Sequence, residues 1–358
     1  MGASAEQLSL SGTVYNVVPN ATEPARLAAV IPVLVGPFNL GNLPVDISTA
    51  LNDGVADSTR TYAVDTFSQL PTKYEGIDVR VRSLNLTVNG IVGGQPFMIN
   101  PSACISSTIG ADIISPDPVT VARTTAATFT GCNRPYTTAP TLAVTPSTLA
   151  AGQPVGLQFD LGTTLSNPTT KNIRINFPTG FELNPAAGTG LNYCSAANLA
   201  TTPGQTTCDG NGSRLGTVTL TTPLLSNPQT GAVYLEQPGT TATTRYKTAI
   251  VIKLPGRDLI LHGAITLNGS TTIPTGGTGA VDSGTGQITA DFPGIPDLGF
   301  TNMRVAFNSG SNALFTNPEA CTAATFSADW TPTGTGAVSN VTNGYTPDTN
   351  CTLPQSFA

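Results

Sequence analysis

The chain has 358 residues and a formal net charge of −6, with 10 % charged residues, 37 glycines and 29 prolines. With so few Lys and Arg and no basic patch, it is not expected to bind nucleic acid, because that binding runs on basic side chains displacing phosphate counterions. The longest apolar run, Leu27 to Val35, is broken by Pro32 and falls well short of the about 20 residues of a membrane-spanning helix, so no membrane insertion is expected.

Gly supplies positive φ, Pro fixes φ and Asn closes turns with its own side chain, so this composition predicts short strands joined by many tight turns. Hydrophobic residues at 39 %, gathered in short clusters, are too many for a disordered chain and point to an all-β fold. The opening Met1-Gly-Ala-Ser-Ala-Glu-Gln has neither the charged start nor the apolar centre of a secretory signal, so the chain reads as a mature form or a piece of a longer protein.

In chain order, Leu8-Ser-Leu-Ser-Gly-Thr-Val-Tyr15 alternates as a half-buried strand does. Arg26 then heads the apolar strand Leu27 to Val35, which Pro32 should place at an edge or in a bulge. Phe67-Ser-Gln-Leu-Pro71, Val79-Arg-Val81 and Phe97-Met-Ile-Asn-Pro-Ser-Ala-Cys104 follow, and Cys132 closes the unit. A different unit runs from about Ala139 to Thr230, with strands at Leu142–Val144, Val155–Leu161, Ile173–Phe177 and Leu215–Thr221. Within it, Ser195 should cap a single helical turn after Cys194.

The first unit then returns. Gly231-Ala-Val-Tyr234 answers Gly12-Thr-Val-Tyr15, Arg245 answers Arg26, Phe292-Pro-Gly-Ile-Pro296 answers Phe67 to Pro71, and Met303-Arg-Val305 answers Val79 to Val81. Phe315-Thr-Asn-Pro-Glu-Ala-Cys321 repeats the earlier Asn-Pro-x-Ala-Cys, and Cys351 closes the second copy as Cys132 closes the first. Matched strands separated by loops of differing length are the signature of an internal repeat. The expected organisation is therefore unit B at 1–138, unit A at 139–230 and a second B at 231–358, with the packing of this last unit and unit A into one domain as the alternative. The first B lacks an A in front of it, as in a fragment of a tandem array or a subunit completed by a neighbour.

Six cysteines in such a chain read as disulfides made in an oxidising compartment. The repeat pairs Cys104 with Cys132 and Cys321 with Cys351, which leaves Cys194 for Cys208. Each longer loop restricts the unfolded chain by about 3 to 4 kcal/mol in the loop-entropy account. No Cys-x-x-Cys occurs and His262 is the sole histidine, so no zinc site or other metal is expected.

The succession Phe177-Pro-Thr-Gly-Phe181, Asn184-Pro, Cys194 to Cys208, Gly216-Thr-Val-Thr219, Gly231-Ala-Val-Tyr-Leu235 and Phe315-Thr-Asn-Pro-Glu-Ala-Cys321 resembles a repeat of large secreted surface proteins of actinobacteria and related bacteria. Val14-Tyr-Asn16 and Glu23-Pro-Ala-Arg26 are similar to the same repeat. The resemblance spans Gly12 to Cys351 and implies a cell-envelope location and a structural or adhesive role, with no catalytic residues to carry over.

Candidate chemistry is sparse. His262 lies in a strand-like run and no Gly-x-Ser-x-Gly accompanies it. Asp209-Gly-Asn-Gly-Ser213 starts like a calcium loop, but Arg214 and Leu220 stand where the glycine and the bidentate carboxylate belong. Lys73, Lys171, Lys247 and Lys253 are the lysines that could form an isopeptide link to Asn, and the last two share the face opposite Ile250 and Ile252, which directs them outward. Asn20, Asn85, Asn211, Asn268, Asn340 and Asn350 head Asn-x-Ser/Thr triplets. Trp330 and Tyr345 are candidates for a carbohydrate platform or for the core.

The sequence thus predicts tandem Ig-like or Greek-key β-sandwich units forming an extracellular or cell-surface structural module: a stalk, adhesin or assembling subunit without catalysis or cofactor. The alternatives are a filament subunit completed by strand exchange and a carbohydrate- or receptor-binding module. Expected partners are copies of the chain itself or a surface glycan or protein.

Overall fold

A computed structural model describes residues 8–351 apart from 36, 53–62, 105, 118, 189, 200–206, 210–211, 226, 238–246, 268–285 and 350. The fold is all-β; its described helices are one 3-10 turn, Pro185–Gly188, and one α-turn, Ala196–Leu199. The expected cap is present, with Asn198 N donating to Ser195 Oγ at 3.2 Å. The chain divides into two compact units. One comprises Met1–Gly54, Tyr62–Met98 and Leu254–Arg257; the other comprises Val55–Thr61, Ile99–Lys253 and Asp258–Ala358.

The first unit is an antiparallel meander of β1 (Thr13–Val17), β2 (Arg26–Val35), β3 (Phe38–Asn52) and β4 (Ala63–Ser68), paired in that order. Pro32 falls as expected for a residue without an N–H: β1 pairs β2 only up to Val30, and on the β3 side the register shifts between Pro32 and Leu34. Two short ladders follow, β5 (Lys73–Tyr74) with β6 (Ile77–Asp78) and β7 (Ile91–Val92) with β8 (Gln95–Pro96).

The second unit opens with the separate hairpin β9 (Ser107–Ile114) and β10 (Thr120–Ala127). Its body consists of β11 (Thr141–Pro146), β12 (Pro154–Val155), β13 (Leu157–Gly162), β14 (Thr170–Asn176), β15 (Glu182–Leu183) and β16 (Arg214–Thr221). It continues with β17 (Gln229–Leu235), β18 (Lys247–Leu254), β19 (Arg257–Leu267), β20 (Ile288–Pro293), β21 (Asn302–Phe307), β22 (Phe315–Thr316), β23 (Ala324–Pro332) and β24 (Ser339–Tyr345). Eleven of these form one ladder in the order β11-β13-β21-β16-β17-β18-β19-β20-β14-β23-β24, and β12-β22-β15 form a small second sheet. Strands from either side of residue 230 interleave: β14 lies between β20 and β23, and β21 lies between β13 and β16.

The long sheet rolls until its two edges meet, with Val144 N of β11 donating to Asn343 Oδ1 of β24 at 3.3 Å. Opposed halves bring their inward residues together as in a sandwich. Phe159 of β13 faces Phe326 of β23 with ring centroids 5.8 Å apart, and Phe177 packs on Phe315 at 4.8 Å. The alternation of Ile173, Ile175 and Phe177 points these residues inward, and all three are buried. An apolar void of about 20 Å³ among Phe159, Ile175, Phe292 and Met303 is far too small for an organic ligand, so this core is filled.

The glycine of the repeated Gly-x-Val-Tyr has a steric reason in both copies. A Cβ at Gly12 would collide with the Val30 carbonyl oxygen, and one at Gly231 with that of Val251. Only glycine lets the neighbouring strand approach so closely.

Candidate functional site

The six cysteines pair as Cys104–Cys132, Cys194–Cys208 and Cys321–Cys351, with Cα atoms 5.3, 5.5 and 5.4 Å apart. Cys194–Cys208 sits on a small apolar cluster with Leu199, Ala232, Tyr234, Ala249 and Val251. β18 is therefore covered on both faces, which is why Ala249 to Ile252 are all buried while Lys253 is exposed. Tyr234 reaches out of this cluster to donate to Asp209 Oδ1, and burial followed by that carboxylate pushes its hydroxyl pKa well up. Asp209, the first residue of the calcium-like run, is thus held by a tyrosine, while residues 210 and 211 lie outside the described part. Among the described residues no three His, Cys, Asp or Glu side chains cluster as metal ligands do.

His262 stands on β19 with Leu259, Leu261 and Ile265 buried around it on the strand. Its Nδ1 lies 2.9 Å from Oε2 of the buried Glu236. A His–carboxylate pair can orient an imidazole as a base, but among the described residues no hydroxyl or thiol completes a nucleophile relay at the ring. Other ionic pairs bridge neighbouring strands. Arg174 meets Asp291 at 3.1 Å and Arg304 meets Asp160 at 2.6 Å, each opposite its partner in the ladder register. Lys253 meets the buried Asp258 at 2.7 Å. Lys73 and Lys171 are exposed and Lys247 is half-buried, so no lysine has the buried setting an isopeptide bond needs.

Of the two expectations for Trp330 and Tyr345, the structure bears out the core and not an exposed platform. Trp330 alternates inward with Phe326 and Ala328 on β23, is fully buried and stacks on Phe300. Tyr345 is buried against Phe181 and Phe326. Of the glycosylation triplets, Asn20, Asn85 and Asn340 are exposed, while Asn211, Asn268 and Asn350 lie outside the described residues.

The polar residues that matter most in this unit are asparagines followed by proline, which the sequence marked at the cysteine motif and at Asn184 but not at Asn167. Asn317 Nδ2 donates to the carbonyls of Thr148 and Ala150 at 3.0 and 2.8 Å, and its Oδ1 accepts from Tyr345 at 2.5 Å. Asn184 Nδ2 donates to the carbonyls of Ser311 and Ala313, both at 2.8 Å. Asn167 Oδ1 accepts from Thr137 N and Thr138 N, and its Nδ2 donates to Thr138 O and Thr163 Oγ1. Each amide ties together two stretches of backbone, and the recurring Asn-Pro was the available signal. Asp297 does the same with a carboxylate, accepting from Ser102 N, Ala103 N and Thr169 Oγ1.

A surface cleft of about 200 Å³ lies among Gly190, Gly212, Arg214, Asn308, Asn312 and Leu314. Asn308 Nδ2 is committed to the Arg214 carbonyl at 3.0 Å and Arg214 Nε to the Gly216 carbonyl at 3.3 Å. The cleft is smaller than the about 300–1,000 Å³ of ordinary ligand pockets, and its Asn308 and Arg214 serve the local backbone.

These features define an all-β, disulfide-bonded protein whose polar groups mostly hold strands and loops. Comparison with models of known protein families, with curated proteins and with solved structures finds no match in any of the three.

Proposed function

We propose that the chain is an extracellular structural module of a cell-envelope repeat protein, serving as a stalk, adhesin or assembling surface subunit without catalysis. This reading takes its motif order as kinship with the secreted repeat proteins of actinobacteria and related bacteria that it resembles. The observation that carries it is the use of the polar groups in the second unit: Asn167, Asn184, Asn317 and Asp297 all clamp backbone, and Arg174, Arg304 and Lys253 pair with carboxylates. Three disulfides, each local in sequence, suit an oxidising exterior, where a small loop-rich unit gains most from covalent closure. No helix among the described residues is long and apolar enough to cross a membrane.

The test is labelling of intact producing cells with a membrane-impermeant amine or carboxyl reagent, followed by mass spectrometry without reduction. The reading predicts surface-labelled protein with all three disulfides formed. Reduced protein confined to the cell interior would contradict it, as would a hydrolytic turnover lost in His262→Ala.

A further inference from the structure

The meander and the closing hairpin of the two B copies match. A shift of 219 residues carries β2 onto β18 and β10 onto β24 to within two residues at every end, and a shift of 225 carries β4 onto β20. The meander β1-β2-β3-β4 thus repeats as β17-β18-β19-β20, and the hairpin β9-β10 repeats as β23-β24. What differs is the company they keep. In the second copy β16 pairs the outer side of β17, and β14 fills the place between β20 and β23. Both added strands come from unit A. In the first copy, among the described residues, β1 and β4 are sheet edges and β9 pairs only β10.

Burial follows the same division. Tyr15 is 52 % exposed where its counterpart Tyr234 is 1 %, Phe67 is 57 % against 5 % for Phe292, and Val81 is 46 % against 4 % for Val305. Val79 to Val81 form no strand, while their counterparts in β21 pair with β13 and β16, again from unit A. Asn100 is exposed, whereas Asn317 is buried against the unit A carbonyls of Thr148 and Ala150. Among the described residues, 22 exposed large hydrophobics lie between Leu8 and Val121 and four lie beyond. An open edge beside exposed apolar side chains is a template for an added strand.

We infer that the N-terminal B copy is a strand acceptor whose occupant is an A-type segment other than residues 139–230, with strands equivalent to β14 and β16 completing β4 and β1. The inference rests on the structural-module reading and gives that module a specific assembly chemistry. The repeat names the occupant, because the same sheet is completed by unit A in the second copy. Residues 139–230 are already engaged, since their strands β14 and β16 complete the second B. Register is set as well, since Ile173 of β14 stands opposite Phe292, so the incoming apolar residue stands opposite Phe67.

The test titrates the full chain with a labelled peptide of residues 168–178, which spans β14, and follows amide exchange by mass spectrometry. A second form of the protein carries an extra copy of residues 139–230 joined ahead of Leu8. Saturable peptide binding that slows exchange about tenfold or more at Ala63–Ser68, leaves Ile288–Pro293 unchanged and is lost with Ile173→Asp and Ile175→Asp in the peptide is the expected result. Equal slowing of Ala63–Ser68 in the extended protein also supports the inference, because there the strands arrive as a joined unit. Unchanged exchange at Ala63–Ser68 in both experiments overturns it, as does binding that the aspartate peptide reproduces. Either failure leaves the surface-labelling test of the module untouched.

Discussion

Asn317 shows how much one side chain carries in this fold. Its amide donates to two part-buried carbonyls of unit A and receives the Tyr345 hydroxyl in a buried bond. Truncation leaves two part-buried carbonyls and the buried Tyr345 hydroxyl without their partner, so Asn317→Ala is expected to lower stability by about 2 kcal/mol in urea titration, whereas Asn100→Ala, on an exposed residue, is expected to change it by less than about 0.5 kcal/mol. Tyr345 makes a second prediction. Burial, offset in part by the Asn317 bond, pushes its hydroxyl from the usual 10.0 up to about 12. The folded state therefore favours the neutral phenol: the stabilisation is complete below pH 10 and is lost as pH rises through 12. Unfolding followed across that window should be shallower in Tyr345→Phe than in the native chain. Trp330 was ambiguous in the sequence only when taken alone. The period of two through Phe326, Ala328 and Trp330 already marked it as inward.

At the scale of elements, local pattern was informative and pairing was not. The strand at Ile173 to Phe177, the capped turn after Cys194, the bulge at Pro32 and the three cysteine pairs were legible because each depends on residues close in sequence or on a repeated spacing. The insertion of β14 between β20 and β23 was not legible, since its partners lie more than a hundred residues away and nothing local selects them. The clamps at Asn167, Asn184 and Asp297 were missed for the same reason, each acting on backbone that only the fold brings near. The Cys194–Cys208 excursion caps the outer face of β17 and β18 through Tyr234, Ala249 and Val251. Replacing both cysteines with serine frees a loop of 14 residues and is expected to cost about 3 kcal/mol in the second unit. Thermal unfolding of that variant should also show exchange rising first at β17 and β18, the strands the excursion covers.

For the molecule as a whole, two similar sets of strands stand in unequal settings. The second B copy has its sheet completed by unit A and rolled until β11 meets β24, with Phe159, Phe177, Phe315 and Phe326 inside. The first has the same meander and hairpin with few buried side chains, Leu27, Val33, Val45 and Ile47 among them. Stability in a β protein comes from ladders paired on both sides and from buried apolar area, so the copies should differ widely in local opening. Hydrogen exchange of the isolated, oxidised chain, read copy against copy, tests this most directly. The account predicts slow, cooperative exchange at Gln229–Leu235, Lys247–Leu254 and Ile288–Pro293, and exchange at least about a hundredfold faster at their counterparts Thr13–Val17, Arg26–Val35 and Ala63–Ser68. Equal protection of the two sets in the monomer would contradict it.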